Sequence, residues 1–264
     1  MKAAVLVPSV RPDLLSDFLQ SLRKHPQPID EIHVLAQRYE REQWEGLLAK
    51  FSDLPIVFEW RATGGPVYPT RWAHAAKHPD IDVWINADDD IEVLPQTDWA
   101  TMIECVHSGE YGVISGNFIR STALMKRSWP PGEKLWVKQP VTNMSGGQAV
   151  PKRLVTVLSQ PLKDGIGLAP WLFDDIQVGL SAYLMGEQPA RYRGSLAIHK
   201  ILSPKGLSGP TGLFAEHPHR QPDSQWINVK ESKPKYLNGN DLYMPVPSDV
   251  TKAAHERHES MKKR

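Results

Sequence analysis

The chain is poor in cysteine: Cys105 is the only one in 264 residues. That excludes an intramolecular disulfide framework and makes a reducing compartment the default. Long apolar runs are missing too, and no stretch reaches the roughly 18 residues that a membrane-spanning helix needs. The opening MKAAVLVPSVRPD has one lysine and a short apolar run cut by PSVRP. It is too short for a secretory leader and reads as a first β-strand. A cytoplasmic protein with no membrane span is expected. Neither sign of charge dominates. Lys plus Arg total 31 and Asp plus Glu 30, a net of +1, which is not the composition of a strongly basic nucleic-acid binder. The balance hides a gradient. From residue 200 onward there are 11 basic and 7 acidic residues, a net of +4, whereas the first 199 carry 20 against 23, a net of −3. An acidic front and a basic tail point to an anionic ligand or partner. Two phosphate signatures are also absent. No GxGxxG follows the first apolar run and no GxxxxGK[ST] occurs, which argues against the usual dinucleotide fold and against P-loop NTPases.

What is present is alternation. AAVLVPS, EIHVLAQ, PIVFEW and DVWINA read as strands. Between them, PDLLSDFLQSLRKH, EREQWEGLLAKF and PTRWAHAAKH carry helical spacing. The first helix places Leu14, Leu15, Phe18, Leu19 and Leu22 on one side, and the second Trp44, Leu47, Leu48 and Phe51. Pro12 suits a helix start. This order predicts an α/β fold, a mostly parallel sheet flanked by helices, with ligands at the carboxyl ends of the strands. Further on, TDWATMIECVHSG reads as a helix and YGVISGNFI as a strand. The stretch RSWPPGEKLWVKQPVTNMSGGQAVPKRLV is rich in Pro and Gly and reads as irregular. PWLFDDIQVGLSAYLMG is a helix with Asp174 and Asp175 near its start, and ARYRGSLAIHK is strand-like and ends at His199. The division expected is residues 1–200 as a catalytic domain and 201–264 as an arm packed on it.

The run Asp88-Asp89-Asp90 follows the fourth strand at once. Three adjacent carboxylates beside a core are costly without positive charge, and a divalent cation with oxygen ligands is the natural candidate. A solvated turn is the plainer reading, but apolar residues flank the run on both sides. Asp174 and Asp175 could simply cap a helix, although capping needs only one acid. A histidine after SLAI is more often a structural strand-end residue, yet Mn²⁺ accepts one imidazole. Arg11 and Arg71 follow strand ends and could be surface charges or phosphate contacts. Lys200 and Lys205 border a GLSGPTG loop that reads equally as a plain connection or a closing flap. The pairs His217/His219 and His255/His258 have metal-site spacing but no cysteines nearby, which favours surface histidines.

In this order the signals resemble the GT-A glycosyltransferases, and among them the large family-2-like group, over about residues 3 to 200. The resemblance implies a nucleotide-sugar donor, with a UDP-sugar favoured, and Mn²⁺ or Mg²⁺. It implies that Asp88–Asp90 is the DxD motif, with Asp88 and Asp89 toward the donor, Asp90 on the metal, Asp88 also available to it, and His199 as a further metal ligand. MSGGQAVPKR resembles the family's glycine pair, which places Gly146 and Gly147 close to the donor. Pro8, Ser9, Arg11, Arg71, Lys200 and Lys205 fall at donor-side positions. FDDIQVG resembles the family's acidic pair, which assigns the general base to Asp175 and its neighbour role to Asp174. Trp72 and His74 stand where the family more often has an asparagine. The second strand ends HVLAQRYE without the family's base-contacting aspartate, and Gln37 takes that place.

The expected function is therefore transfer of a sugar from a nucleotide-diphosphate donor to an acceptor hydroxyl, with inversion. The acceptor is a carbohydrate or glycoconjugate, or a hydroxymethylated base in phage DNA that must be flipped out to react. Lys230, Lys233 and Lys235 are the obvious contacts for such DNA. The alternatives are a nucleotidyltransferase making a nucleotide-sugar, against which the poor match of PSVRPDLL to that class's Gly-rich loop counts, and a non-catalytic nucleotide-binding module.

Overall fold

A computed structural model describes residues 1–37, 39–61, 67–120, 135–136, 147–160, 178–179, 181–182 and 185–199. β1 (Ala3–Ser9), β2 (Glu31–Gln37), β3 (Ile56–Arg61) and β4 (Val83–Asn86) are the four strands read from the sequence. α1 (Pro12–Lys24), α2 (Arg41–Lys50) and α3 (Val67–Ala75) connect them. All seven residues of β1 are buried, as expected of a strand covered on both faces. α1 begins at Pro12 and buries Leu14, Leu15, Phe18, Leu19 and Leu22, the stripe that its spacing predicts. α2 is less deeply seated. Leu47 and the following Phe51 are buried, while Trp44 stacks on Phe58 of β3 at the sheet's rim.

With β5 (Ile91–Val93), β6 (Val113–Arg120), β8 (Gln148–Pro151) and β9 (Pro189–His199), the described strands form one sheet in the order β3-β2-β1-β4-β8-β6-β9-β5, and β7 (Leu135–Trp136) pairs with β9. β1, β2, β3 and β4 are mutually parallel. The chain moves outward from β1 through β2 to β3, then returns to add β4 on the other side of β1. The reversal creates a topological switch point between β1 and β4, the crevice where ligands bind in open α/β sheets. Beyond β4 come β5 (Ile91–Val93), α4 (Trp99–His107) and β6 (Val113–Arg120). Residues 178–179 and 181–182 are helical, within the segment expected as a helix. β9 (Pro189–His199) runs parallel to β6 and antiparallel to β5.

One expectation needs correcting. The end of the Pro- and Gly-rich stretch is regular: Gln148–Pro151 is β8 and Lys152–Leu158 is α5. β8 pairs antiparallel with β4 and fills the sheet's centre, all four residues buried. Pro151 reads as a breaker in sequence, but here it stands at the strand's last position and precedes the helix, where its missing N–H costs nothing. Two layers of apolar residues cover the sheet. α1, α2 and α4 pack on one face, around Phe18, Leu19, Phe51, Trp99 and Met102. α3 and α5 pack on the other, around Trp72, Trp84, Leu154 and Leu158.

Candidate active site

Pro8 and Ser9 end β1, and the aspartate run begins two residues after β4 ends at Asn86. The two segments therefore leave the sheet at the same end, on opposite sides of the switch point. The side chains tie them together. Ser9 Oγ donates to Asp89 Oδ2 at 2.6 Å. Arg11 grips the same carboxylate with two nitrogens, Nε at 3.3 Å from Oδ2 and Nη2 on Oδ1. Ser9 Oγ also accepts from the Arg11 backbone N–H at 3.1 Å and lies 2.7 Å from the Tyr39 hydroxyl. A serine hydroxyl has one hydrogen. With that hydrogen on Asp89, Tyr39 is the donor in its pair, and the Ser9 hydroxyl is fully used inside the protein.

The three aspartates are not equivalent. Asp89 and Asp90 are buried, at 3% and 4% exposure, whereas the Asp88 side chain is about half exposed, at 48%. Asp89 turns inward to Ser9 and Arg11. Asp90 Oδ2 lies 3.4 Å from Arg11 Nη2, and Asp88 Oδ1 lies 3.3 Å from Arg71 Nη2. Arg71 is itself buried on α3. Two guanidinium groups thus meet three carboxylates. Burial works against the Arg11 charge, but its contacts with Asp89 and Asp90 prevail and raise its pKa. Burial pushes the Asp89 carboxyl up, opposed by Arg11 and Ser9. Burial likewise holds the Tyr39 phenol well above its ordinary value, consistent with a hydroxyl that donates.

Other expected site residues come to the same end of the sheet. β8 is antiparallel to β4, so its start lies beside β4's end: Asn86 pairs with Gln148, and their amides bond at 3.1 Å. Gly147 immediately precedes β8 and has φ +67°, in the left-handed region that favours glycine. Its carbonyl accepts from Gly116 N–H at 3.0 Å. β9 ends against β5, and the register pairs His199 with Ile91, the residue after Asp90. The description of His199 stops at its backbone. Gln37 is buried at the end of β2. Gly146, Asp174, Asp175, Lys200, Lys205, Lys230, Lys233, Lys235 and the histidines at 217, 219, 255 and 258 lie outside the described residues.

Sequence reasoning missed three participants. Tyr39 follows β2 in an unremarkable QRYE, and nothing in its spacing advertises a bond to Ser9. His33 and His78 join His74 in a second polar cluster, under α3. The His74-x₃-His78 spacing was a usable signal, but His33 is 41 positions away from His74. Burial lowers the pKa of His33, and takes that of His74 to about 4.

No family model matches the chain, and no curated protein matches it. Solved structures do. TarS of S. aureus, residues 1–349 in complex with UDP-GlcNAc, superposes with a TM-score of 0.56 at 14% identity, covering 77% of this chain and 59% of that one. The same protein in complex with UDP gives a TM-score of 0.52 at 14% identity, covering 76% and 61%. A mycobacterial protein gives 0.51 at 13% identity, covering 76% and 68%. In both complexes this chain thus spans less than two thirds of the TarS fragment. Among the described residues, no helix is long and apolar enough to cross a membrane. What the chain shares with these structures is the fold, a mostly parallel α/β sheet flanked by helices.

Proposed function

We propose that this chain is a metal-dependent, inverting glycosyltransferase that moves a sugar from a nucleotide-diphosphate donor to an acceptor hydroxyl. The carrying observation is the convergence at one end of the switch point: the Ser9 turn, the Asp88–Asp90 run and the backbone of His199 next to Ile91. A UDP-sugar is the favoured donor, in keeping with a neighbour of the same fold solved with UDP-GlcNAc.

The residues fit a hard cation. Three carboxylates stand together here, held by Arg11 and Arg71. Carboxylate oxygens suit Mn²⁺ or Mg²⁺. Asp90, Asp88 and His199 would hold the ion, which when bound offsets charge developing on the leaving diphosphate. Asp89 has a different task in this reading. Its carboxylate locks the exits of β1 and β4 together and so fixes the spacing of its two neighbours. Arg71 orients Asp88, and Gly146, Gly147, Lys200 and Lys205 border the donor. Asp175, with Asp174 beside it, takes the proton of the attacking hydroxyl. Residues 1–200 form the catalytic domain and 201–264 the arm. The acceptor is a carbohydrate or glycoconjugate, or a hydroxymethylated base in phage DNA.

Calorimetric titration with UDP-, GDP-, CDP- and TDP-sugars, each with and without Mn²⁺, tests the reading. Binding of one class that depends on Mn²⁺ is expected. Failure of all four to bind in the presence of Mn²⁺ or Mg²⁺ overturns it. Transfer with retained anomeric configuration, read by NMR of the anomeric proton, overturns the inverting mechanism.

A further inference from the structure

In the second polar cluster, close polar contacts join His33 and His74 to each other and to Glu31 and Glu59, away from the aspartate run. His33 lies in β2, His74 in the last turn of α3 and His78 just beyond it. One ring nitrogen from each can be chosen so that all three lie within 4.8 Å of one another. His33 is completely buried, His74 nearly so, and His78 partly. Two glutamates hold the inner rings from outside. His33 Nε2 is 2.7 Å from Glu31 Oε2, and His74 Nδ1 contacts Glu59 Oε2.

The hydrogen count is what makes this arrangement informative. A neutral imidazole carries one N–H, and a carboxylate can only accept. Each inner ring therefore spends its hydrogen on its glutamate. That leaves His33 Nδ1 and His74 Nε2, which face each other at 2.9 Å. Both present a lone pair, and two lone pairs at that distance repel. An added proton between them would bury an imidazolium against Trp84 and a third imidazole. A metal cation resolves the conflict differently, by accepting both lone pairs at once. Bonds of about 2.0–2.1 Å at a tetrahedral angle put two ligand nitrogens about 3.3 Å apart, a few tenths of an ångström from the spacing present. Ligating histidines almost always donate their second nitrogen to a carboxylate or carbonyl, which is the arrangement of Glu31 and Glu59.

We infer that His33, His74 and His78 form a binding site for a zinc-class divalent ion, with Glu31 and Glu59 as the carboxylates that orient the rings. Three neutral imidazoles select a borderline metal such as Zn²⁺ over the hard ions that suit aspartates. The ion would cross-link β2 to the end of α3. Arg71 sits one turn earlier on the same helix, against Asp88 at 3.3 Å, so the cross-link steadies the helix that carries it.

Tag-free protein, stripped with chelator and titrated with Zn²⁺ or Co²⁺ alone, tests the site. The wild type should take up one tight equivalent, with the visible d–d bands of tetrahedral Co²⁺, and should melt at a higher temperature when loaded. Glu59→Gln should weaken zinc binding by roughly 10–100-fold. His78→Ala removes the least buried ligand, so circular dichroism should remain native while affinity falls further than in Glu59→Gln. Asp90→Ala should keep the tight zinc equivalent. Three results would overturn the inference: no tight equivalent in the wild type, unchanged uptake in a folded His78→Ala protein, or loss of the tight equivalent in a folded Asp90→Ala protein.

Discussion

Two buried polar clusters meet α3 one turn apart, and they neutralise themselves in opposite ways. At Arg71 the helix faces the aspartate run, carboxylates that guanidinium groups hold. At His74 it faces neutral rings that are held by anions from outside. The first cluster has a half-exposed member, Asp88, and so brings a carboxylate next to solvent. The second is nearly closed, with converging nitrogens. Carboxylate oxygens at an opening suit an exchangeable hard ion. Converging lone pairs in a closed place suit a resident ion. If both proposals hold, one helix serves two sites whose chemistry differs because their donor atoms and their access to water differ.

Substitutions can break this contrast, beginning with the largest effect. Asp90→Ala should abolish Mn²⁺-dependent donor binding in calorimetry, although the protein stays folded. If Asp175 is the base, Asp175→Asn should bind donor normally and lose turnover by roughly 10²–10⁴-fold in single-turnover assays. Arg11→Met attacks the lock itself. It leaves Asp89 buried without its bidentate partner, which should cost about 3–5 kcal/mol in chemical denaturation. That deficit should depend on pH. Burial already raises the Asp89 pKa, and loss of Arg11 raises it further, so the folded variant holds its proton above the unfolded value of about 3.9. The sign follows: folded protein binds more protons than unfolded, so the variant's stability falls as pH rises from about 4 through the raised pKa. Denaturation at pH 5 and pH 8 checks this, with the larger deficit at pH 8.

Gly147→Ala is a smaller perturbation. A methyl there meets Trp99 Nε1 at an ordinary 3.6 Å, so only the left-handed backbone resists, at about 1–2 kcal/mol. The smallest effect is expected far from both clusters. Gln43→Ala removes the acceptor of the Glu40 N–H at the start of α2, worth about 0.5 kcal/mol. It should leave donor binding and zinc uptake unchanged, which calibrates the other variants.

The strand–helix alternation was legible because each element carries its own period. Leu14 to Leu22 on α1 and the unbroken AAVLVPS of β1 declare burial without outside help. The switch point was legible by consequence, since PS and DDD both end apolar runs. β8 and α5 were not. Their residues adjoin Gly146-Gly147 and contain Pro151, local signs of a loop that pairing with β4 overrides. The division of labour among the three aspartates was also hidden. It depends on Arg11, Ser9 and Tyr39 arriving from two other strand ends. His33 looked like any polar residue in a strand. Only the fold sets its Nδ1 against a ring 41 positions away.

The late arrival of β8 has a consequence for the order of assembly. β4 pairs with β1 on one side and with residues 148–151 on the other. During synthesis the first four strands can associate while the far side of β4 is still an open edge, with unpaired backbone groups on an apolar strand. Open edges of this kind recruit wrong partners, and partly folded chains are most exposed to that hazard. The nascent protein therefore passes through a vulnerable interval about sixty residues long. It closes only when Gln148–Pro151 slots in between β4 and β6, and the same event sets Gly147 beside the end of β4. Pairing of β8 thus closes that edge and places Gly147 in one step.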